Sequence, residues 1–124
     1  MILVTGGTGL VGAHLLFTLI DNNEEVRAIY RKTSDLNAVK KVFSFYTSEV
    51  DRVFNKIDWQ LADITDILSL EVVFKNIDYV YHCAAYISFN PRHFKTLKKV
   101  NVEGTANVVN LCISEKVIKL CYIS

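Results

Sequence analysis

The stretch Val4–Gly12, which reads Val-Thr-Gly-Gly-Thr-Gly-Leu-Val-Gly, constrains the fold of this chain most. It follows a short apolar run that predicts a strand and opens an apolar run that predicts a helix. Gly6 permits a tight turn, Gly9 lets the backbone approach a phosphate, and Gly12 lets the first helical turn pack against the strand. This order of glycines therefore predicts a turn that leaves a strand, passes under a phosphate and enters a helix.

The amides of this turn predict an anion site. Thr8, Leu10 and Val11 complete the loop, and the positive end of the helix dipole reinforces the unpaired N–H groups of the first helical turn. A glycine-rich loop between a strand and a helix favours binding of a dinucleotide pyrophosphate. The alternative is a tight strand-to-helix turn that binds no ligand.

Strand and helix patterns alternate along the chain, which is typical of a parallel sheet covered on both faces. Strands are predicted at 2–5, 25–30, 58–61, 79–83 and 118–123, and helices at 10–21, 36–43, 48–55, about 66–74 and 92–115. Right-handed crossovers arrange the strands in the order 3-2-1-4-5. The prediction is an α/β fold, a Rossmann-type doubly wound sheet in three αβα layers.

Four segments follow strand ends and are expected to meet at one crevice. They are the glycine loop, Arg31, Asp63 and Ala84-Ala85. In such sheets ligands bind outside the carboxyl ends of the strands, where the strand order reverses. We therefore predict the ligand site between strands one and four.

The bulk composition excludes several classes of protein. The 124 residues form one domain at most, half of them are apolar, and the net charge of +1 gives no reason to expect nucleic acid or an anionic membrane as partner. No apolar run approaches the ~18 residues of a membrane span. The odd number of cysteines indicates a reducing, cytoplasmic setting, and we expect all three to be buried thiols. Their spacing from the histidines predicts no metal site.

The region 36–56 carries four aromatic side chains. They are Phe43, Phe45, Tyr46 and Phe54. We expect them to pack against the sheet edge; the alternative is a surface for binding a partner.

The sequence resembles the extended short-chain dehydrogenase/reductase family. The resemblance rests on Thr5–Gly12, Asp63-Ile64, Val80–Ala85 and Asn101–Val109, in the family's order and spacing. Within the family, the segment 26–35 looks most like the dihydroflavonol-reductase-like and nucleoside-diphosphate-sugar-epimerase-like members. The resemblance implies the same Rossmann-type fold and a nicotinamide dinucleotide as cofactor.

The resemblance also implies roles for individual residues. The backbone around Gly9, Leu10 and Val11 would hold the pyrophosphate. Asp63 would accept a hydrogen bond from the adenine amino group, and the Ile64 amide would meet a ring nitrogen. Ala84 and Ala85 would be small so that a cofactor ribose lies close. Asn101 would brace the long helix near the active site; on its own pattern it is a polar helix-surface residue.

The family's catalytic pair is not found in this sequence. Its chemistry uses a tyrosine followed four positions later by a lysine, and none of the six tyrosines here has lysine at that spacing. We therefore predict no catalytic residue in this chain. Residues 1–124 are expected to be the truncated NAD(P)-binding domain of a longer protein, without its catalytic and substrate-binding half.

Two functions follow from this interpretation. The first is the cofactor-binding part of an NAD(P)-dependent oxidoreductase or nucleotide-sugar epimerase-like enzyme that acts on a hydroxyl or carbonyl. The alternative is a non-catalytic dinucleotide sensor, or an interaction module, of the same fold. The helix 92–115 has apolar residues on more than one face, and its counterpart in relatives forms a dimer interface, so a homodimer is expected.

The end of strand two favours NADP(H) over NAD(H). NAD-preferring relatives have an Asp or Glu there to bind the ribose 2′-hydroxyl, whereas this chain has Tyr30 followed by Arg31 and Lys32. An arginine can hold a 2′-phosphate with two charge-assisted bonds. Two alternatives stay open: the basic pair is a solvated loop, or Asp35 reaches back to a 2′-hydroxyl and restores a preference for NAD.

Overall fold

The computed structural model describes residues 1–84 and 89–123 and confirms the α/β prediction. Within those residues the strands form one parallel sheet in the order β3-β2-β1-β4-β5. The strands are β1 (Ile2–Thr5), β2 (Val26–Tyr30), β3 (Asp58–Leu61), β4 (Tyr79–His82) and β5 (Lys119–Tyr122). Each lies within one residue of its predicted bounds. The apolar runs of β1 and β4 are typical of central parallel strands, whereas β3 and β5 are the less buried edge strands.

Helices cover both faces of the sheet. They are α1 (Leu10–Asp21), α2 (Leu36–Ser44), α3 (Val50–Asn55), α4 (Ile67–Val73), α5 (Phe94–Lys98) and α6 (Thr105–Ser114). Alternate residues of β1 point to opposite faces: Val4 packs in the core with α1 and α2, and Leu3 packs in the core with α4 and α6. None of the helices in the described parts of the chain is long and apolar enough to cross a bilayer.

The prediction of a single α-helix over 92–115 is wrong in its geometry. The segment is helical from Pro91 to Ser114, but it begins as a 3-10 turn (Pro91–His93) and contains a π-helical segment (Lys99–Gly104) between α5 and α6. The wide turns end at Gly104, where a Cβ would lie 2.7 Å from the Ile64 side chain. One π turn is too short to change the apolar pattern of the helix around it, so the sequence pattern missed this segment.

The expectation that the aromatic side chains of 36–56 pack against the sheet edge is confirmed only in part. Phe43 is fully buried, and Phe54 stacks on Trp59 of the edge strand β3 with ring centroids 5.1 Å apart. Tyr46 stacks on Phe17 of α1 at 4.4 Å. Phe45 is exposed.

The expectation of three buried thiols is wrong for two cysteines. Cys112 is buried, Cys83 is half-buried, and Cys121 is exposed. Cys121 lies on β5, where three of the four residues are exposed, so little packs over this strand in the described structure. Burial raises the pKa of the Cys112 thiol to about 11.

Arg27 joins two strands to the end of a helix. Its Nε donates to Asp58 Oδ2 at 2.8 Å, and its Nη1 donates to the carbonyl oxygens of Val73 and Lys75 at 2.8 and 2.9 Å. Those carbonyls lie at the carboxyl end of α4, where intrahelical partners are lacking. The Arg27 hydrogen bond also holds the pKa of the Asp58 carboxyl below its usual value.

We predict that Arg27→Ala lowers the free energy of unfolding by roughly 1–3 kcal/mol, because it leaves two carbonyl oxygens and one carboxylate oxygen without their donor. Urea unfolding followed by circular dichroism measures the change. The control is Arg52→Ala, which removes an exposed ion pair to Glu49 and is expected to cost less than about 0.5 kcal/mol. Equal losses in both variants would contradict a special role for Arg27.

Candidate functional site: a crevice at the carboxyl edge of the sheet

The glycine turn is shaped by contacts that only glycine permits. Gly6 has φ of +72°, and a Cβ there would lie 2.4 Å from the backbone nitrogen of Ala84. A Cβ on Gly12 would lie 2.0 Å from the Gly6 carbonyl oxygen. The start of α1 is thus pressed onto the turn, and the turn is pressed onto the end of β4.

Gly9 differs from the other two glycines because it lies at an opening. A Cβ built on Gly9 meets only the Gly6 oxygen, at 3.4 Å, and its backbone is extended (φ −84°, ψ 174°). The structure allows a side chain at this position, and that side chain would enter the space above the loop. The packing of the loop itself therefore does not require glycine at position 9.

The amino end of α1 carries donors for an anion. The Gly9 amide donates within the turn, to the Gly6 oxygen at 3.1 Å, so it is not one of the free amides. The next amides, Leu10 and Val11, begin the helix, where no intrahelical acceptor exists. The helix has neither a side-chain cap nor an acidic residue in its first turn, so the positive end of its dipole is not neutralised there.

The cavity beside this loop has a volume of about 220 Å³. It is lined by Gly6, Thr8, Gly9, Ile29, Tyr30, Arg31, Ser34, Ala62, Asp63, Ile64, Cys83, Ala84 and Val100. Eight of these are predicted site residues, drawn from the ends of β1, β2, β3 and β4. The cavity therefore lies at the carboxyl edge of the sheet, over the point where the strand order reverses.

Three predicted residues do not line the cavity. The side chains of Leu10 and Val11 are exposed, and Gly12 is buried beneath the turn. Leu10 and Val11 contribute their backbone amides, and Gly12 contributes by having no side chain where the helix packs against the turn. Ala85 lies outside the described residues.

The Asp63-Ile64 loop is braced from both sides. Asp63 Oδ1 accepts from the Thr65 amide at 2.9 Å and from the Thr65 hydroxyl at 2.8 Å. The Ile64 carbonyl accepts from Asn107 Nδ2 at 2.9 Å, and its buried side chain lies against Gly104. These contacts hold the loop in one position beside the cavity.

Sequence reasoning missed five lining residues. Ala62 and Cys83 adjoin predicted positions and follow from strand ends alone. Ser34 accepts from the Arg31 amide at 2.9 Å, and its spacing three residues after Arg31 was a usable turn signal. Ile29 and Val100 carried no signal, because their place depends on how the sheet and the π-helical segment meet.

The structure assigns Asp35 to the start of α2. Its Oδ1 accepts from the amides of Asn37 and Ala38 at 3.0 and 3.3 Å, as an N-cap residue does. In the parts of the chain that the structure describes, no group of three or more His, Cys, Asp or Glu side chains could hold a metal ion.

His82 lies directly beneath the crevice and is fully buried. Its Nδ1 lies 2.6 Å from the Thr5 hydroxyl and its Nε2 lies 2.9 Å from the Thr105 hydroxyl. Burial disfavours the imidazolium and lowers the pKa of His82 below the usual value. A neutral ring with one donor and one acceptor nitrogen satisfies both hydroxyls.

The fold and its crevice define a Rossmann-type α/β domain. A family model described as the NAD dependent epimerase/dehydratase family matches residues 2–124. The chain belongs to this NAD-dependent epimerase/dehydratase family, which confirms the resemblance to extended short-chain dehydrogenases/reductases.

Individual relatives share this part of their length. The chain is 33% identical over 103 residues to the sterol demethylase protein B of Methylococcus capsulatus, covering 83% of this chain and 27% of that protein. It is 33% identical over 119 residues to the 3-beta-hydroxysteroid dehydrogenase of Mycolicibacterium neoaurum, covering 88% and 27%. The structure of a thiolation-reductase di-domain from an archaeal non-ribosomal peptide synthetase matches with a TM-score of 0.81 and 27% identity, covering 99% and 27%. The chain thus spans about a quarter of the length of these curated relatives.

We predict that the free energy of unfolding falls as the pH is lowered through the usual histidine value of about 6.5. The folded-state pKa of His82 is depressed, so below that value the unfolded chain binds more protons than the folded one. Stability is complete above the unfolded-state pKa and declines by at most about 1.4 kcal/mol per pH unit for this one group.

Urea unfolding from about pH 7.5 to about pH 5.5 measures the slope, compared with His82→Asn, which places an amide near the Thr5 hydroxyl and does not titrate. The slope is expected to be smaller in the variant. Identical slopes in the two proteins would show that His82 does not contribute.

Proposed function

We propose that this chain binds a nicotinamide dinucleotide in the crevice, as the cofactor-binding part of an NAD(P)-dependent oxidoreductase or epimerase. The observation that carries the proposal is the convergence of an uncapped helix amino end, an arginine and a braced carboxylate on one cavity. The membership of an NAD-dependent family supports the same class of cofactor. The nicotinamide would supply hydride transfer when bound.

The residues fit the two halves of such a ligand. The Leu10 and Val11 amides would donate to the pyrophosphate, above the open side of Gly9. Asp63 and the Ile64 amide would bind the edge of the adenine, between apolar walls that include Ile29 and Ala62. Ala84 would leave room for a ribose beside the Gly6 turn.

We further propose a preference for NADP(H). Arg31 follows β2 at the cavity, and among residues 1–84 and 89–123 no carboxylate forms an ion pair with its guanidinium. Asp35, the acidic residue that would favour NAD, is engaged at the amino end of α2. A basic side chain is therefore available to a 2′-phosphate, and the nearby acid is already hydrogen-bonded.

The remaining parts of the proposal concern the whole protein. The reaction would interconvert a hydroxyl and a carbonyl, with the catalytic tyrosine and lysine in a part of the protein outside these 124 residues. The exposed apolar side chains of the last helical segment support a homodimer; they are Phe94, Val102, Val109 and Ile113. The three free thiols support a cytoplasmic location.

The first test is Gly9→Val. The added side chain would occupy the space of the pyrophosphate, so ADP-ribose affinity measured by calorimetry should fall by at least about a hundredfold. The circular dichroism spectrum should stay unchanged, because the backbone at Gly9 suits any residue.

The control for Gly9→Val is Leu10→Ala, which removes an exposed side chain and keeps the amide. Its affinity should stay within about twofold of the native chain. Unchanged affinity in folded Gly9→Val would show that the loop is not the phosphate site.

The second test compares 2′-phospho-ADP-ribose with ADP-ribose. The native chain should bind the phosphorylated ligand about tenfold to a hundredfold more tightly, since charge-assisted bonds contribute roughly 1.5–3 kcal/mol. Arg31→Ala should remove this preference and leave ADP-ribose affinity near its native value.

Arg52→Ala is the matched control, because it removes an exposed arginine on α3, away from the crevice. It should preserve the preference. Equal affinities of the native chain for the two ligands would overturn the assignment of NADP(H).

A further inference from the structure

A buried hydrogen-bond network of Thr5, His82 and Thr105 runs beneath the crevice and joins three elements. The Thr5 hydroxyl at the end of β1 meets His82 Nδ1 at 2.6 Å, and His82 Nε2 meets the Thr105 hydroxyl at the start of α6 at 2.9 Å. Thr5 and His82 are fully buried. None of the three side chains lines the cavity, so this network does not contact a ligand there.

One end of this network, Thr5, holds the glycine turn in position. Thr5 directly precedes Gly6, and its hydroxyl also accepts from the Ala84 amide at 3.3 Å. Gly6 lies so close to Ala84 that even a Cβ does not fit between them. A shift of Thr5 relative to β4 therefore moves the turn and the amino end of α1 that follows it.

The other end controls the opposite wall of the cavity. Thr105 lies between Gly104, which contacts the Ile64 side chain, and Asn107, which donates to the Ile64 carbonyl. One helical turn thus holds both the imidazole and the Asp63-Ile64 loop. The imidazole connects the phosphate side of the crevice to its adenine side.

We infer that His82 and Thr105 are positioning residues for dinucleotide binding, which fix the spacing between the Gly6 turn and the Asp63-Ile64 loop. This inference rests on the proposed function of the crevice. A dinucleotide must reach both walls at once, so its affinity depends on that spacing, although neither residue touches it.

Because the imidazole is neutral, the network depends on both hydroxyls. One ring nitrogen donates and the other accepts, so one threonine must accept and the other must donate. Removing the Thr105 hydroxyl leaves a buried ring nitrogen without its partner, and the ring or the helix must shift to restore one.

The test compares Thr105→Val, which keeps the shape and removes the hydroxyl, with Thr105→Ser, which keeps the hydroxyl. Calorimetry with ADP-ribose should show affinity about tenfold weaker for the valine variant and within about twofold of native for the serine variant. Thr96→Val makes the same change at an exposed position of α5 and should bind as the native chain does. Thermal unfolding of each free protein sets a measuring temperature at which all are folded.

His82→Asn is the second variant and carries the test if Thr105→Val does not fold. An amide near the Nδ1 position can bond Thr5 but does not reach Thr105, so the affinity loss should match that of Thr105→Val. The double variant should lose little more than either single one, because both break the same link. Imidazole ¹⁵N shifts of His82 should change in Thr105→Val and stay native-like in Thr105→Ser.

The outcomes separate the two proposals. If the native chain does not bind ADP-ribose, the proposed function fails. If the native chain binds and folded Thr105→Val binds equally well, the function stands and the positioning role is overturned. Equal losses in the valine and serine variants, or additive losses in the double variant, also overturn it.

Discussion

The position of the candidate site depends on the contact between the Gly6 turn and the end of β4. Gly6 adopts a left-handed backbone against the Ala84 amide, and the helix that follows is pressed onto the Gly6 carbonyl through Gly12. No side chain fits in either contact. The direction of α1, and hence the position of its free amides over the sheet, depends on this stack of backbone on backbone.

The parallel sheet brings the glycine turn together with the other loops that line the crevice. All strands present their carboxyl ends at the same edge, so the loops after β1, β2, β3 and β4 meet there although they lie far apart in the sequence. The supports beneath the loops differ in kind. Arg27 and Asp58 join β2, β3 and α4 from the opposite end, whereas the hydroxyls around His82 join β1 and β4 to α6 directly below the cavity.

Much of the fold and part of the site were predictable because their signals are local. Apolar runs and turn residues mark strands and caps: Asn23, with φ of 60°, takes the left-handed conformation that follows the end of α1. Eight lining residues were predicted because they follow strand ends. The π-helical segment and Val100 were not predictable, because one π turn is too short to change the apolar pattern of the helix around it. Only the contact of Gly104 with Ile64 shows where the helix lies.

The sequence by itself determined the strand order, the position of the switch point and the glycines that the turn requires, because periodicity and backbone freedom are properties of short stretches. Only the tertiary structure decided how individual side chains are used. It bonded Asp35 to the amino end of α2 and exposed Cys121 on β5. It also placed His82 between the hydroxyls of Thr105 and Thr5, which lie 23 and 77 residues away in the sequence. The physical reason is that a polar side chain takes whichever partner the packed elements bring within hydrogen-bond distance, and no local pattern encodes that partner.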